Sequence, residues 1–327
     1  MRQRTVIFIN ARLWLLAVIL GGCVVFAAGC AANLAKYLPG ADKNTGQYPD
    51  DGKLRIIAIG AHPDDCELSI GGAAALWAAQ GHHVKFVCVT NGEIGHWRMK
   101  GPKLAARRKK EVENAAKILG IETTRVLNNP DGQLMPTLKN RLTIARLIRQ
   151  WKADIVLTHI PQDYHPDHRY TSILVQDAAY LVTVPFMCPD VPHLQKNPVF
   201  LYWVPSYRLI DTSGFAPDAI IAVDKVIHKK LAAALAMESQ FIEGGVSGNE
   251  QMVPHNKAEY AKRSSEVREQ FTKRFETVAN KYRQQLTALY GPEKGSRVRF
   301  AEAFQVCPFG SGLSPAQLKE LFGFAQP

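Results

Sequence analysis

The chain has 327 residues, of which 46% are hydrophobic and 9% aromatic, so it can bury a substantial core and is not a disordered protein. The length allows one large domain or two smaller ones. The formal net charge is +11, but the basic residues are spread along the chain without interleaved aromatic residues. This distribution argues against a nucleic-acid-binding protein.

The first thirty residues have the layout of an export signal. Three arginines precede or border an almost wholly apolar run, 13–26, and small residues surround Cys30. This layout resembles a bacterial lipoprotein signal with the lipid on Cys30. It predicts an exported protein that is anchored to a membrane in the cell envelope or periplasm. Lipidation at Cys23, an ordinary cleaved signal and an uncleaved anchor helix are the alternatives.

Residues 31–52 are rich in Pro, Gly, Asp and Asn without periodicity, which predicts a flexible tether. Apolar strands and helical segments then alternate. The strands are predicted at 54–60, 83–90, 125–128 and 153–159, and the helices at 67–80, 104–119, 137–151 and 168–183. This alternation predicts an α/β fold, a mainly parallel sheet with helices on both faces.

The pattern is looser after residue 184, where further C-terminal strands and helices are predicted. The strands are 200–205 and 219–224, the next helix is 225–242, and one or two amphipathic helices occupy 256–290.

Two short segments share a pattern at the ends of predicted strands. HPDD at 62–65 follows the first strand, and HPDH at 165–168 follows the strand at 153–159. In parallel sheets, ligands bind beyond the carboxyl ends of the strands. We therefore expect both segments at the same edge of the sheet, close together in space.

The two segments together supply the ligand types of a catalytic zinc site. His62, Asp65 and His168 form a set of two imidazoles and one carboxylate, which leaves a fourth position open to water. The metal lowers the pKa of water in that position to about 7, so a nearby carboxylate can take its proton. Adjacent residues point in different directions, and Asp64 is the predicted general base. One Zn²⁺ per chain is predicted, with another divalent metal as the alternative.

The remaining polar residues of the second segment have supporting roles in this hypothesis. His165 donates to the developing oxyanion or protonates the leaving amine, and Asp167 orients an imidazole. A single such segment is equally well explained as a helix cap, since Asp caps helices and Pro favours the first turn. Two of them at one sheet edge favour the metal site.

Two other features admit two explanations each. The basic run 107–110 is either a solvated helix face or includes one arginine that reaches the site. Trp97, in the loop after the second strand, either stacks on a sugar or covers the core.

Several stretches together resemble one family. The chain is similar to the PIG-L/LmbE-like deacetylases in "AHPDDCELSIGG", "VTNGEIGHWRM", "RRKKEVENAAKILGI", "DYHPDHR" and "AEAF". The resemblance implies a Rossmann-like α/β domain and zinc-dependent removal of an N-acetyl group from an amino sugar such as N-acetylglucosamine. The expected organisation is a signal at 1–30, a tether at 31–52, the deacetylase domain at 53–306 and a tail at 307–327.

The resemblance also implies roles for individual residues. His62, Asp65 and His168 match the zinc ligands, Asp64 the general base, and His165 the group that stabilises the oxyanion or acts as the acid. Arg108, Asn91 and Glu93 match substrate-binding positions. Some members have a tyrosine two residues before the HPDH histidine; this chain has Asp163 there, and Tyr164 one residue later.

The expected partner is an N-acetylated sugar or glycan, with a membrane contacted through the N-terminal anchor and no nucleic acid. A metal-dependent amidase acting on a sugar conjugate and a non-catalytic glycan-binding lipoprotein are the alternatives. The sequence indicates neither the acceptor sugar nor the oligomeric state.

Overall fold

The computed structural model describes residues 51–204, 215–314, 317–318 and 321–322. The strands are β1 (Arg55–Gly60), β2 (His83–Thr90), β3 (Thr123–Asn129), β4 (Ile155–His159), β5 (Val199–Trp203), β6 (Ala219–Ala222) and β7 (Ala301–Val306). The helices of the described ranges are α1 (Asp65–Ala79), α2 (Pro102–Leu119), α3 (Leu138–Trp151), α4 (Pro166–Leu181), α5 (Ile227–Leu235), α6 (Glu238–Phe241), α7 (Lys257–Lys281), α8 (Arg283–Tyr290) and α9 (Pro292–Arg297).

The strands form one sheet in the order β3-β2-β1-β4-β5-β7-β6. The first five strands of this order are parallel, and β7 runs antiparallel to both β5 and β6. Every residue of β1 is buried, as expected for a central strand covered on both faces. The predicted α/β fold with a mainly parallel sheet is confirmed.

Helices pack on both faces of this sheet because the parallel strands need long crossover connections. On one face, α1, α2, α5 and α7 enclose a core that includes Ile56 and Ala58 of β1. Side chains alternate between faces along a strand, so Ile57 and Ile59 point to the other face, where α3 and α4 pack. The sheet is therefore held rigidly between two helical layers.

One prediction for the second half of the chain is wrong in detail, and one strand was not predicted. The helix predicted at 225–242 is interrupted. A short 3₁₀ turn, Asp224–Val226, precedes α5, and the helical conformation is interrupted again at Met237 before α6. Strand β7 was not predicted, since its six residues pair with β5 and β6, which are distant in sequence.

Among the described residues, no helix combines the length and apolar character needed to cross a bilayer. Cys30, the predicted signal and most of the predicted tether lie outside the described residues.

The parallel strands bring four loops to one edge of the sheet. The loops follow β1, β2, β3 and β4 at their carboxyl ends, and both histidine-containing segments belong to them. Close approach is built into the first loop: a Cβ at Gly60 would lie 2.8 Å from the Cβ of Asp65, so only glycine fits. The expectation that the two segments meet is confirmed by their contacts.

Candidate active site

Three side chains from the two segments converge at the sheet edge. His62 Nδ1 lies 3.1 Å from His168 Nε2 and 3.5 Å from Asp65 Oδ2, and His168 Nε2 lies 3.3 Å from Asp65 Oδ1. All three residues are buried. The predicted ligand set is thus brought together by β1 and β4, which are neighbours in the sheet.

The spacing of these atoms fits a small divalent cation. Ligand bonds of about 2.1 Å at tetrahedral angles separate the ligand atoms by about 3.4 Å. Burial opposes ionisation of Asp65, but His168 holds the pKa of this carboxyl well below its ordinary value. A buried, ionised carboxylate facing two imidazole nitrogens has the donor chemistry of a Zn²⁺ site.

Carboxylates hold the outer nitrogens of both histidines. His62 Nε2 lies 3.1 Å from Asp131 Oδ1 and 3.3 Å from Asp167 Oδ2. His168 Nδ1 lies 2.8 Å from Asp163 Oδ1. These contacts raise the pKa of both histidines and favour a proton on each outer nitrogen, so that each inner nitrogen, once deprotonated, can bind a cation.

A third histidine packs against the cluster. His159, the last residue of β4, stacks on His168 with ring centroids 4.1 Å apart. The Ala61 N–H donates to His159 Nε2 (3.1 Å), which also lies 3.2 Å from Asp65 Oδ2. Burial lowers the pKa of His159 to about 4, so the ring is neutral at ordinary pH.

Asp64 points away from this cluster and towards an arginine. Its carboxylate makes no helix-cap hydrogen bond, although it precedes α1 directly. Arg108 Nη2 lies 3.2 Å from Asp64 Oδ2 and donates to the carbonyl of Pro63 at 3.0 Å. Burial raises the pKa of Asp64 to about 6, against the opposing effect of the Arg108 guanidinium. The capping explanation therefore fails for Asp64.

The Arg108 side chain occupies space that glycines provide. It is only 3% exposed, and a Cβ at Gly95 would lie 2.3 Å from its Nη1. Its neighbour Arg107 instead pairs with Glu111 and Glu243. Of the basic run, one arginine thus reaches the site, on α2.

His165 caps helix α4 and also borders the cluster. Its Nδ1 accepts the N–H of Asp167 at 3.2 Å, so the neutral ring carries its proton on Nε2. Its ring centroid lies 4.6 Å from that of His62. Burial, together with His62 and His168, lowers the pKa of His165 and favours the neutral donor.

The other predicted substrate-binding residues lie in the loop after β2. Asn91 Nδ2 donates to Glu93 Oε2 and to Asn128 Oδ1, and the Glu93 N–H donates back to Asn91 Oδ1. The loop approaches the site through the Gly92 carbonyl, which accepts from Arg108. Contact of Asn91 and Glu93 with substrate stays a prediction.

Sequence analysis missed Asp131 and His159 and gave Asp163 no role. All three lie at or just after the carboxyl ends of parallel strands, which was the usable signal. None stands in a repeated motif, and only their contacts with His62, His168 and Asp65 identify them.

Comparison with known proteins identifies a family and several relatives of this chain. The family model PIG-L, described as GlcNAc-PI de-N-acetylase, matches residues 57–179. The chain is 30% identical over 198 residues to the diacetylchitobiose deacetylase of Thermococcus kodakarensis, covering 58% of this chain and 71% of the relative. It is 28% identical over 195 residues to a probable N-acetyl-alpha-D-glucosaminyl L-malate deacetylase 2 of Bacillus anthracis, covering 57% and 81%.

One solved structure illustrates the likeness in fold. The 4-carboxy-2-hydroxymuconate hydratase GalB of Pseudomonas putida superposes with a TM-score of 0.60 at 23% identity, covering 80% of this chain and all of that one. Because the identity is low, this likeness shows the fold alone. The family match, the relative from Thermococcus and the shared site motifs together place this chain in the PIG-L family.

Proposed function

We propose that this protein is a metal-dependent hydrolase that removes an N-acetyl group from an amino sugar, with Zn²⁺ as the metal. The proposal rests on one observation: two adjacent carboxylates have different contacts. Asp65 faces His62 and His168 at 3.3–3.5 Å, whereas Asp64 faces Arg108. The names of the relatives from Thermococcus and Bacillus support the substrate class.

In this proposal His62, Asp65 and His168 hold the metal, which polarises the acetyl carbonyl and acidifies water when bound. Asp64 takes a proton from the attacking water as the oxygen adds to the carbonyl carbon. The same proton then passes to the amide nitrogen as the C–N bond breaks, giving acetate and a free amine. A base with a pKa near 6 suits transfer in both directions at neutral pH.

His165 stabilises the negative charge that develops on the carbonyl oxygen. Its Nε2–H is the available donor because its Nδ1 already accepts from the backbone of α4. Burial keeps the ring neutral without removing this proton. Asp131, Asp163 and Asp167 fix the tautomers of the two metal-binding histidines.

The test is acetate release from N-acetylated sugars by purified protein. Activity should disappear with a chelator and return with Zn²⁺. Asp64→Asn should lower kcat by about 10²–10⁴-fold while the zinc content stays at the wild-type level. Asp190→Asn, in the loop between α4 and β5, is the matched control and should keep wild-type activity. A rate for Asp64→Asn within a few-fold of wild type would show that Asp64 is not the base.

The same assay separates the alternatives. A metal-dependent amidase would cleave a sugar conjugate and leave N-acetyl sugars intact. A glycan-binding protein would bind sugar without turnover at any zinc loading. A glycan-binding protein has no need of a general base, so the buried Asp64 held by Arg108 argues against that alternative.

We also propose that the chain is exported and anchored to a membrane through a lipid on Cys30, with residues 31–52 as a tether. The arginines, apolar run and small residues of the N-terminus support this proposal. The domain limits of 53–306 and the tail at 307–327 are proposed from the extent of the resemblance to the deacetylase family.

A further inference from the structure

Two exposed apolar side chains flank the candidate site. Tyr164, in the loop after β4, is 58% exposed, and its ring centroid lies 5.5 Å from that of His168 and 5.8 Å from that of His165. Ile94, in the loop after β2, is 54% exposed. Its Cδ1 would lie 3.3 Å from a Cβ at Gly132, the neighbour of Asp131.

The backbone that carries Tyr164 is held firmly. Arg169 Nη1 donates to the carbonyls of Asp163 (2.8 Å) and Tyr164 (2.9 Å). The Asp163 carboxylate accepts from the His165 N–H and pairs with His168. The backbone therefore places the exposed Tyr164 side chain beside His165 and His168.

An exposed aromatic ring beside a polar reaction centre suits a pyranose ring. A pyranose has an apolar C–H face that packs against an aromatic ring, while its hydroxyls stay in water. The reacting N-acetyl group must reach the cluster of His62, Asp65 and His168, so its own sugar lies directly over that cluster. Tyr164 lies at the rim, where the next sugar of a chain would be.

We propose that Tyr164 forms a subsite for the sugar next to the reacting one, so that the protein acts on N-acetylated oligosaccharides in preference to a single sugar. Ile94, next to Gly132 in the loop after β3, is a second exposed apolar side chain near the site. This inference rests on the proposed deacetylase function and adds the length of the substrate to it. Stacking at one subsite is worth about a five- to tenfold change in kcat/KM.

The experiment compares N-acetylglucosamine with N,N′,N″-triacetylchitotriose. The measured quantity is the ratio of kcat/KM for the trisaccharide to that for the monosaccharide. Tyr164→Ala should lower this ratio about fivefold, and Tyr164→Phe should keep it within twofold of wild type because the ring remains. Tyr180→Ala is the matched control, since Tyr180 is 71% exposed near the end of α4, the helix that follows the loop of Tyr164.

Binding of the deacetylated products gives a second measurement that needs no turnover. By calorimetry, Tyr164→Ala should weaken binding of the glucosamine trisaccharide more than binding of glucosamine. Acetate release by the wild type with an unchanged ratio in Tyr164→Ala would overturn the subsite while leaving the deacetylase function intact. A wild type that releases no acetate from either sugar would overturn both.

Discussion

The two histidines proposed to bind the metal are oriented by different numbers of carboxylates. His168 Nδ1 has Asp163 at 2.8 Å, while His62 Nε2 is shared between Asp131 and Asp167 at 3.1 and 3.3 Å. Partners of this kind typically contribute 10- to 100-fold to metal affinity. The loss of one carboxylate should therefore lower metal affinity more at His168 than at His62.

We expect Asp163→Asn to weaken zinc binding by about 10- to 100-fold, and Asp131→Asn to weaken it by less than tenfold because Asp167 still holds His62. Competition with a chromophoric chelator measures both affinities. Circular dichroism and thermal unfolding check that each variant is folded. Equal losses in the two variants would contradict this unequal support.

Adjacent arginines offer a paired test of how Asp64 is held. Arg108 contacts Asp64 and the carbonyls of Pro63 and Gly92, whereas Arg107 contacts glutamates outside the cluster. Arg108→Ala should lower kcat/KM by about 10- to 100-fold because Asp64 loses its cationic partner.

Arg108→Lys should fall between wild type and Arg108→Ala, because lysine keeps the charge but not the planar fork of donors. Arg107→Ala should keep kcat/KM within twofold of wild type. Steady-state kinetics on the same sugar decides the outcome. A larger loss in Arg107→Ala than in Arg108→Ala would reassign the arginine that reaches the site.

At the residue scale, the repeated His-Pro-Asp pattern was sufficient to predict which side chains meet at the sheet edge. His62, Asp65 and His168 were predictable because two motifs end neighbouring strands of a parallel sheet. Asp131 and Asp163 were not, because their contacts depend on how loops of different strands fold over the histidines. The sequence does not indicate which way the carboxylate of a loop residue points when that residue belongs to no motif.

At the element scale, the first half of the fold follows from alternating apolar strands and helices. Helix α3 was predicted at 137–151 and spans Leu138–Trp151. The later elements were harder to predict because β7 enters the sheet between β5 and β6 and reverses direction. Such pairing is set by contacts between distant segments, which no local pattern encodes.

Glu302 of β7 ties three elements together in the core. Its carboxylate accepts from the Gly72 and Ala73 N–H groups of α1 at 2.8 and 2.7 Å and pairs with the buried Lys230 of α5. A Cβ at Gly72 would lie 2.7 Å from the Val223 side chain, so glycine is what allows this close approach. The late "AEAF" stretch thus supplies a buried clamp between the sheet and the helices.

Removal of the lysine should leave this carboxylate buried without its cation. We expect Lys230→Met to lower the free energy of unfolding by about 3–5 kcal/mol. Urea unfolding followed by circular dichroism measures the change. Lys229→Met is the control, since this neighbouring lysine is half-buried, and it should change stability by about 0.5 kcal/mol or less. A small effect of Lys230→Met would mean that the clamp contributes little to stability.

At the scale of the whole molecule, the site and the start of the described chain lie at opposite edges of the sheet. The ligand cluster follows the carboxyl end of β1, while Lys53 precedes its amino end and donates to the Gln80 carbonyl there. Six residues of strand separate the two edges by about 20 Å. The proposed catalytic residues therefore lie at the edge of the sheet away from the first described residues.

We predict that membrane anchoring and deacetylase activity are separable. Cys30→Ala should release the protein from the membrane fraction and abolish labelling by an alkynyl fatty acid, because the acyl chains of the anchor are lost. Its kcat/KM on a soluble sugar should stay within twofold of wild type, since the residues proposed for catalysis and metal binding all lie between His62 and His168. Cys23→Ala, matched in chemistry, should remain labelled and membrane-bound. If Cys23→Ala is released instead and Cys30→Ala is retained, the lipid is on Cys23; if both variants remain bound, the N-terminus is held by its apolar segment.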